Sequence, residues 1–223
     1  MNRHGVTAHP LTADHRRMLL DTAADTIGRG LTTGERTLPA TATATDPANG
    51  TADATDPANA TADTDVALTQ AAATFVSLER GAALLGCIGT LEPIEGLATN
   101  VARNAWNAAF ADPRLPSVTP ADHAAMTIKI SVLSRLSPMR ARSWRDVQRA
   151  VRPGVDGVLV EAGPYRATLL PSVWEKLDDP ATFLDVLWHK AGLRPRDWLP
   201  GTQVRRYTTD EFADAGPRDL VRG

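Results

Sequence analysis

The chain's single cysteine, Cys87, sits in the run from Leu84 to Gly89, close between Gly86 and Gly89. A thiol becomes a nucleophile or acid–base group when a nearby cation, histidine or helix N-terminus favours its thiolate, and a helical pattern opens soon after Glu92 and Pro93. Glycines inside a strand mark a bulge or the close approach of a ligand or another backbone. Cys87 is therefore the candidate catalytic residue, suited to a small carbonyl-containing substrate, and Gly86 and Gly89 are candidate binding positions. A lone strand cysteine is equally a small buried hydrophobe. Downstream, Asp112 and Arg114 lie in a stretch to Pro120 that holds three prolines, and His123 follows it. The guanidinium fork of Arg114 suits a carboxylate or phosphate, and His123 suits proton transfer. The plainer alternative pairs Asp112 with Arg114 to hold the loop and leaves His123 exposed on a short helix. Arg103, on the helix after the Cys87 strand, either overhangs the glycines or belongs to a solvated face.

Other chemistry is poorly represented. His4, His9, His15, His123 and His189 show no pair at ligand spacing near an acidic or cysteine partner, so no metal site is indicated. No phosphate-cradling loop or dinucleotide fingerprint is present, and the residues name no cofactor. Arginines 135, 140, 142, 145, 149 and 152 form a local basic cluster open to RNA or an acidic partner. Apart from Trp144 it lacks interleaved aromatics, which favours a solvated helix face and counts against nucleic acid.

Stepping outward from Cys87, two β-prone runs, 74–78 and 84–88, flank a link containing Glu79, Arg80 and Gly81, which predicts a β-hairpin. Helical spacing predicts a first helix from Leu11, capped by Thr12 or Asp14 and ended by Gly30. Leu97, Val101, Ala105 and Ala109 line one face of a second helix, with Asn100, Arg103 and Asn107 on another. Thr119 to Asp122 reads as a capping box opening a short helix, and 126–134 as a half-buried strand. A second capping box at Ser143 places Trp144, Val147 and Val151 inward. Two runs around Ala162, Gly163 and Pro164 predict a second hairpin. Pro171 and Ser172 open a short helix toward Lys176. Asp179 caps a helix with Phe183, Leu184, Leu187, Trp188 and Ala191 as its core stripe, ended by Gly192. Gln203 to Tyr207 reads as a last strand before a polar tail. This order of hairpins, helices and single strands predicts an α+β architecture.

Residues 1–10 read as an N-terminal arm, 11–36 with 66–212 as a single domain with room for a smaller subdomain, and 213–223 as a tail. Between them, 37–65 is a low-complexity segment of mostly Thr, Ala, Asp, Pro, Asn and Gly with a ten-residue near-repeat. It offers little apolar surface and is expected to be a disordered insertion. The 43% apolar composition supports a sizeable core, whereas the net charge of -2 supplies no global field for nucleic acid or anionic membrane. One cysteine and an N-terminus interrupted by charged residues and histidines imply a cytoplasmic protein, with no apolar run long enough to cross a membrane.

Six motifs in order resemble the AMMECR domain family, over roughly Leu11 to Phe212 apart from the insertion. They are Leu84 to Gly89, Ala108 to Pro116, Ile130 to Ser134, Gly154 to Leu159, Leu170 to Val173 and Lys190 to Leu193. Where the family carries Arg or Lys before the glycine, this chain has Leu85, so no basic side chain stands there to hold an anion. The resemblance implies a two-part α+β fold, with a mainly antiparallel sheet flanked by helices. It also implies the AmmeMemoRadiSam setting, in which such proteins accompany a Memo-like protein related to extradiol dioxygenases and a radical SAM enzyme. No reaction comes with it. The expected function is a ligand-binding or accessory protein working with those partners, with room for a small-molecule ligand. The alternative is a small enzyme using Cys87.

Overall fold

The computed structural model describes residues 10–36 and 66–218. The expected insertion at 37–65, most of the arm and the end of the tail lie outside the described residues. In chain order the elements are α1 (Ala13–Thr33), β1 (Thr74–Arg80), β2 (Ala83–Gly89), α2 (Leu97–Phe110), α3 (Pro120–Ala125), β3 (Thr127–Leu133), β4 (Ser137–Pro138), α4 (Trp144–Ala150), β5 (Gly157–Ala162), β6 (Tyr165–Leu169), a 3-10 turn (Pro171–Glu175), α5 (Pro180–Ala191), β7 (Gln203–Tyr207) and β8 (Thr209–Asp214). Two antiparallel sheets flanked by helices make this an α+β fold, as the sequence predicts. Two compact units divide the chain: a central one over residues 134–209, and a flanking one built from the chain before and after it.

In the flanking unit the strand order is β2-β1-β3-β8. The β1–β2 hairpin turns at Gly81, whose φ of 59° suits a glycine. Val76 and Leu78 of β1 pair with Ile88 and Gly86 of β2 on one side and with Ile130 and Ile128 of β3 on the other. That face is the inner one, closed by Leu97, Val101, Ala105 and Ala108 of α2 and by Leu19, Ala23 and Ile27 of α1. Thr12 caps α1 in a box with His15. Gly30 does not end this helix: it lies inside α1, where a Cβ would come within 2.4 Å of Trp106, and the left-handed C-cap is Gly34 at φ 70°. Asn100, read as part of a polar face, is fully buried. Its Oδ1 accepts from the backbone N–H and hydroxyl of Thr74 at 3.1 and 2.7 Å and so ties α2 to β1.

In the central unit the order is β4-β7-β5-β6. The β5–β6 hairpin turns at Gly163, φ 61°, and α5 packs Phe183, Leu184, Leu187 and Trp188 wholly inside. Each such side chain contributes about 1.5–3 kcal/mol by leaving water. Asp179 caps α5 and Gly192 ends it at φ 81°. Ser143 caps α4, but the Asp146 carboxylate accepts from the N–H of Arg142 rather than completing the expected box.

Candidate functional site

Cys87 lies on β2, the edge strand, opposite Ser77. Its backbone N–H and C=O therefore point to the open edge, where a following segment holds both. The Cys87 N–H donates to Asp112 Oδ2 at 3.0 Å, and Arg114 Nη2 donates to the Cys87 carbonyl at 2.8 Å. Arg114 also grips Asp112 through Nε at 2.9 Å and Nη2 at 2.7 Å. Asp112 comes two residues after α2 ends, so the helix that covers the inner face also delivers the clamp on the edge. Its carboxyl is held well below the usual carboxylate range, first by the Arg114 guanidinium and then by the Cys87 and Arg114 N–H groups, against the opposing pull of burial. Arg114 is raised in turn by Asp112.

The Cys87 side chain points away from α2, half-buried on the outer face of the sheet. Its sulfur accepts a hydrogen bond from Ser77 Oγ at 3.2 Å. Ser77 pairs across β1–β3 with Lys129, whose Nζ lies 3.0 Å from Glu211 of β8, and Ser131 donates to the same carboxylate at 3.0 Å. A polar row thus crosses four strands. Sequence reasoning singles out none of Ser77, Lys129 or Glu211 for chemistry. Outward alternation could nominate the first two, but only strand register brings them to Cys87.

The glycines serve close packing. A Cβ at Gly86 would sit 1.9 Å from the carbonyl oxygen of Ala108, so the backbone of α2 fills that space, and one at Gly89 would sit 2.2 Å from the Phe75 ring. A register shift opposite Leu78 and Glu79 makes Leu85 the extra residue of a bulge, interrupting the simple alternation expected there. Arg103 is engaged by Glu95, with Nε and Nη2 at 3.0 and 2.5 Å from Oε2. His123 is 1% exposed rather than lying open on its helix. Its Nε2 stands 3.2 Å from the Ala24 carbonyl of α1, Nδ1 has no partner among the described residues, and burial above all lowers its pKa. The structure therefore joins Cys87, Asp112 and Arg114, and commits the Arg103 guanidinium to Glu95 and the His123 ring to Ala24 instead. Among the described residues no group of three or more His, Cys, Asp or Glu is placed to hold a metal, and no helix is long and apolar enough to cross a membrane.

Fold and site together define a class: a two-unit α+β protein with a clamped cysteine on the edge strand of an antiparallel sheet. The chain belongs to the AMMECR1 family, which matches it over residues 40–212. A protein of Thermococcus gammatolerans is 38% identical over 146 residues, covering 63% of this chain and 69% of that one. Protein MJ0810 of Methanocaldococcus jannaschii is 34% identical over 140 residues, covering 62% and 70%. The crystal structure of the uncharacterised protein PH0010 from Pyrococcus horikoshii matches with a TM-score of 0.75 at 27% identity, over 93% of this chain and 95% of that one.

Proposed function

We propose that this AMMECR1-family chain is a cytoplasmic accessory protein that binds a small ligand along the Cys87 row and works with a Memo-like or radical SAM partner. The observation that carries the ligand reading is the clamp. Asp112 and Arg114 fix both backbone groups of Cys87 and leave its half-buried sulfur on the outer face beside Ser77, at the end of a row that continues across the sheet through Lys129 to Glu211. Hydroxyl, ammonium and carboxylate groups in one row suit a small molecule carrying both donors and acceptors. The partner half of the reading rests on the family's AmmeMemoRadiSam setting.

Binding is favoured over covalent chemistry because the sulfur takes its hydrogen bond from the Ser77 hydroxyl, no histidine among the described residues is bonded to it, and the nearby Arg114 guanidinium is committed first to Asp112 and to the Cys87 carbonyl. Alkylation separates the two. Cys87 is expected to react with iodoacetamide at neutral pH no faster than glutathione, and Cys87→Ser to retain function in the cell. A rate tenfold above glutathione together with an inactive serine variant would establish the enzyme reading instead. The partner half is tested by gel filtration of the chain mixed with the Memo-like and radical SAM proteins of its own genome, where separate elution of all three removes it.

A further inference from the structure

In the central unit every arginine from Arg152 onward is tied to a carboxylate. Asp156 takes Arg152 and Arg206, Glu161 takes Arg166 and Arg205, Asp197 takes Arg194, and Asp185 takes Arg196. Arg135, Arg140, Arg142, Arg145 and Arg149 differ: all five are exposed, and none has a carboxylate partner among the described residues. Arg149 lends Asp146 only a longer-range pull, since that carboxylate is occupied at the start of α4. Arg145 and Arg149 stand one turn apart on the face of α4 opposite buried Trp144 and Val147. Like charges at that spacing weaken an isolated helix, so the stability of α4 does not explain them. The unit as a whole carries 13 Lys+Arg against 8 Asp+Glu over residues 134–209, in a chain of net charge -2.

We infer that this arginine face is a docking surface for an acidic patch on a protein partner. The inference takes the accessory role proposed above as its starting point and adds where, and to what chemistry, the partner binds. Three features favour protein carboxylates over nucleic acid. Trp144, the aromatic among these arginines, is 4% exposed with Arg196 lying 4.8 Å above its ring, so no base stacks on it. Half-buried Leu136 and Met139 are interspersed with the arginines along the sequence, and such partly exposed apolar groups serve protein interfaces better than a phosphate backbone. Finally, the chain as a whole carries a net charge of -2 and supplies no global field of the kind that draws nucleic acid.

The test uses the full chain with two labelled probes of equal charge, poly-L-glutamate and an RNA duplex, followed by fluorescence anisotropy at rising salt. Poly-L-glutamate is expected to bind saturably, more tightly than the duplex, and less tightly as salt rises. The triple variant Arg142→Glu, Arg145→Glu, Arg149→Glu should weaken it at least tenfold. An equal charge change at exposed Arg17, Arg29 and Arg36 should weaken it less than twofold, both variants keeping the wild-type circular dichroism spectrum. Absence of poly-L-glutamate binding, equal losses in the two variants, or tighter binding of the duplex each overturns the inference, the last in favour of a phosphate-reading surface. Cys87 alkylation does not enter this test, so either reading can fail alone.

Discussion

Asp112 accepts four hydrogen bonds, from the N–H groups of Cys87 and Arg114 and from Arg114 Nε and Nη2, while its residue is 6% exposed. The Arg114 side chain is 55% exposed, so solvent trims the ion pair itself, and most of the value lies in the satisfied carboxylate. Asp112→Asn replaces one acceptor oxygen by an amide that cannot serve these donors, and is expected to lower unfolding free energy by about 1–3 kcal/mol in urea titrations. The pH dependence has a definite sign. A carboxyl whose folded pKa lies below its unfolded value, near ~3.9, contributes stability that is complete above about pH 5 and drains away as the pH falls toward the depressed value. Wild type should therefore lose more stability than Asp112→Asn between about pH 4 and pH 2. Equal acid limbs would show that Asp112 titrates normally and that the clamp is loose.

At the scale of elements, α2 is the organiser: its inner face closes the sheet, its backbone fits against Gly86, and its end carries the clamp. In Gly86→Ala the new methyl meets a backbone carbonyl rather than a movable side chain, and is expected to cost about 2–3 kcal/mol. An unchanged midpoint of thermal unfolding would mean that α2 can retreat freely. The junction of α1 and α3 rests on His123. Burial depresses its folded pKa below the ordinary value of 6.5, and Asp25, Asp122, Arg80 and Arg218 are the charged groups around it and its helix. As pH falls through the unfolded value the unfolded chain takes up this proton first, so stability declines from about pH 7 to pH 5 and His123→Gln removes that decline. Much of this layout is legible in the sequence wherever a local signal fixes it. Thr12, Thr119, Ser143 and Asp179 all cap the helices they were expected to cap, and Gly81 and Gly163 turn the two hairpins. Gly30 misleads because a glycine that admits the Trp106 and Phe110 rings reads locally like one that ends a helix. Asn100 misleads because a buried amide hub carries the same letter as a solvated one. At the site, Cys87, Asp112 and Arg114 are legible as residue types and the Asp112–Arg114 pair as a local contact, but their bonds to Cys87, and the Ser77–Lys129–Glu211 row, depend on register that no single strand encodes.

At the scale of the molecule, the element hidden most completely is β8. The stretch from Thr209 to Asp214 is acidic with one large apolar residue, Phe212, and the sequence predicts no strand there. Its pattern becomes a strand only beside β3, where Glu211 meets Lys129 and Ser131 while Asp210 pairs with Arg16 of α1 at 3.1 Å and Phe212 packs on the core. The flanking unit is thus completed by chain that follows the central unit, although each unit has a core of its own. A chain ending at Thr208 loses that edge and uncovers β3, whose outward N–H and C=O groups then face water. Hydrogen exchange should accelerate at least tenfold in β3 while β5 and β6 keep full-length rates, because their hydrogen bonds and the α5 stripe above them are untouched. Equal acceleration in both sheets would show that the two cores open as one cooperative body, and the long sequence gap between β3 and β8 would then be bridged by the stability of the whole chain rather than of the flanking unit alone.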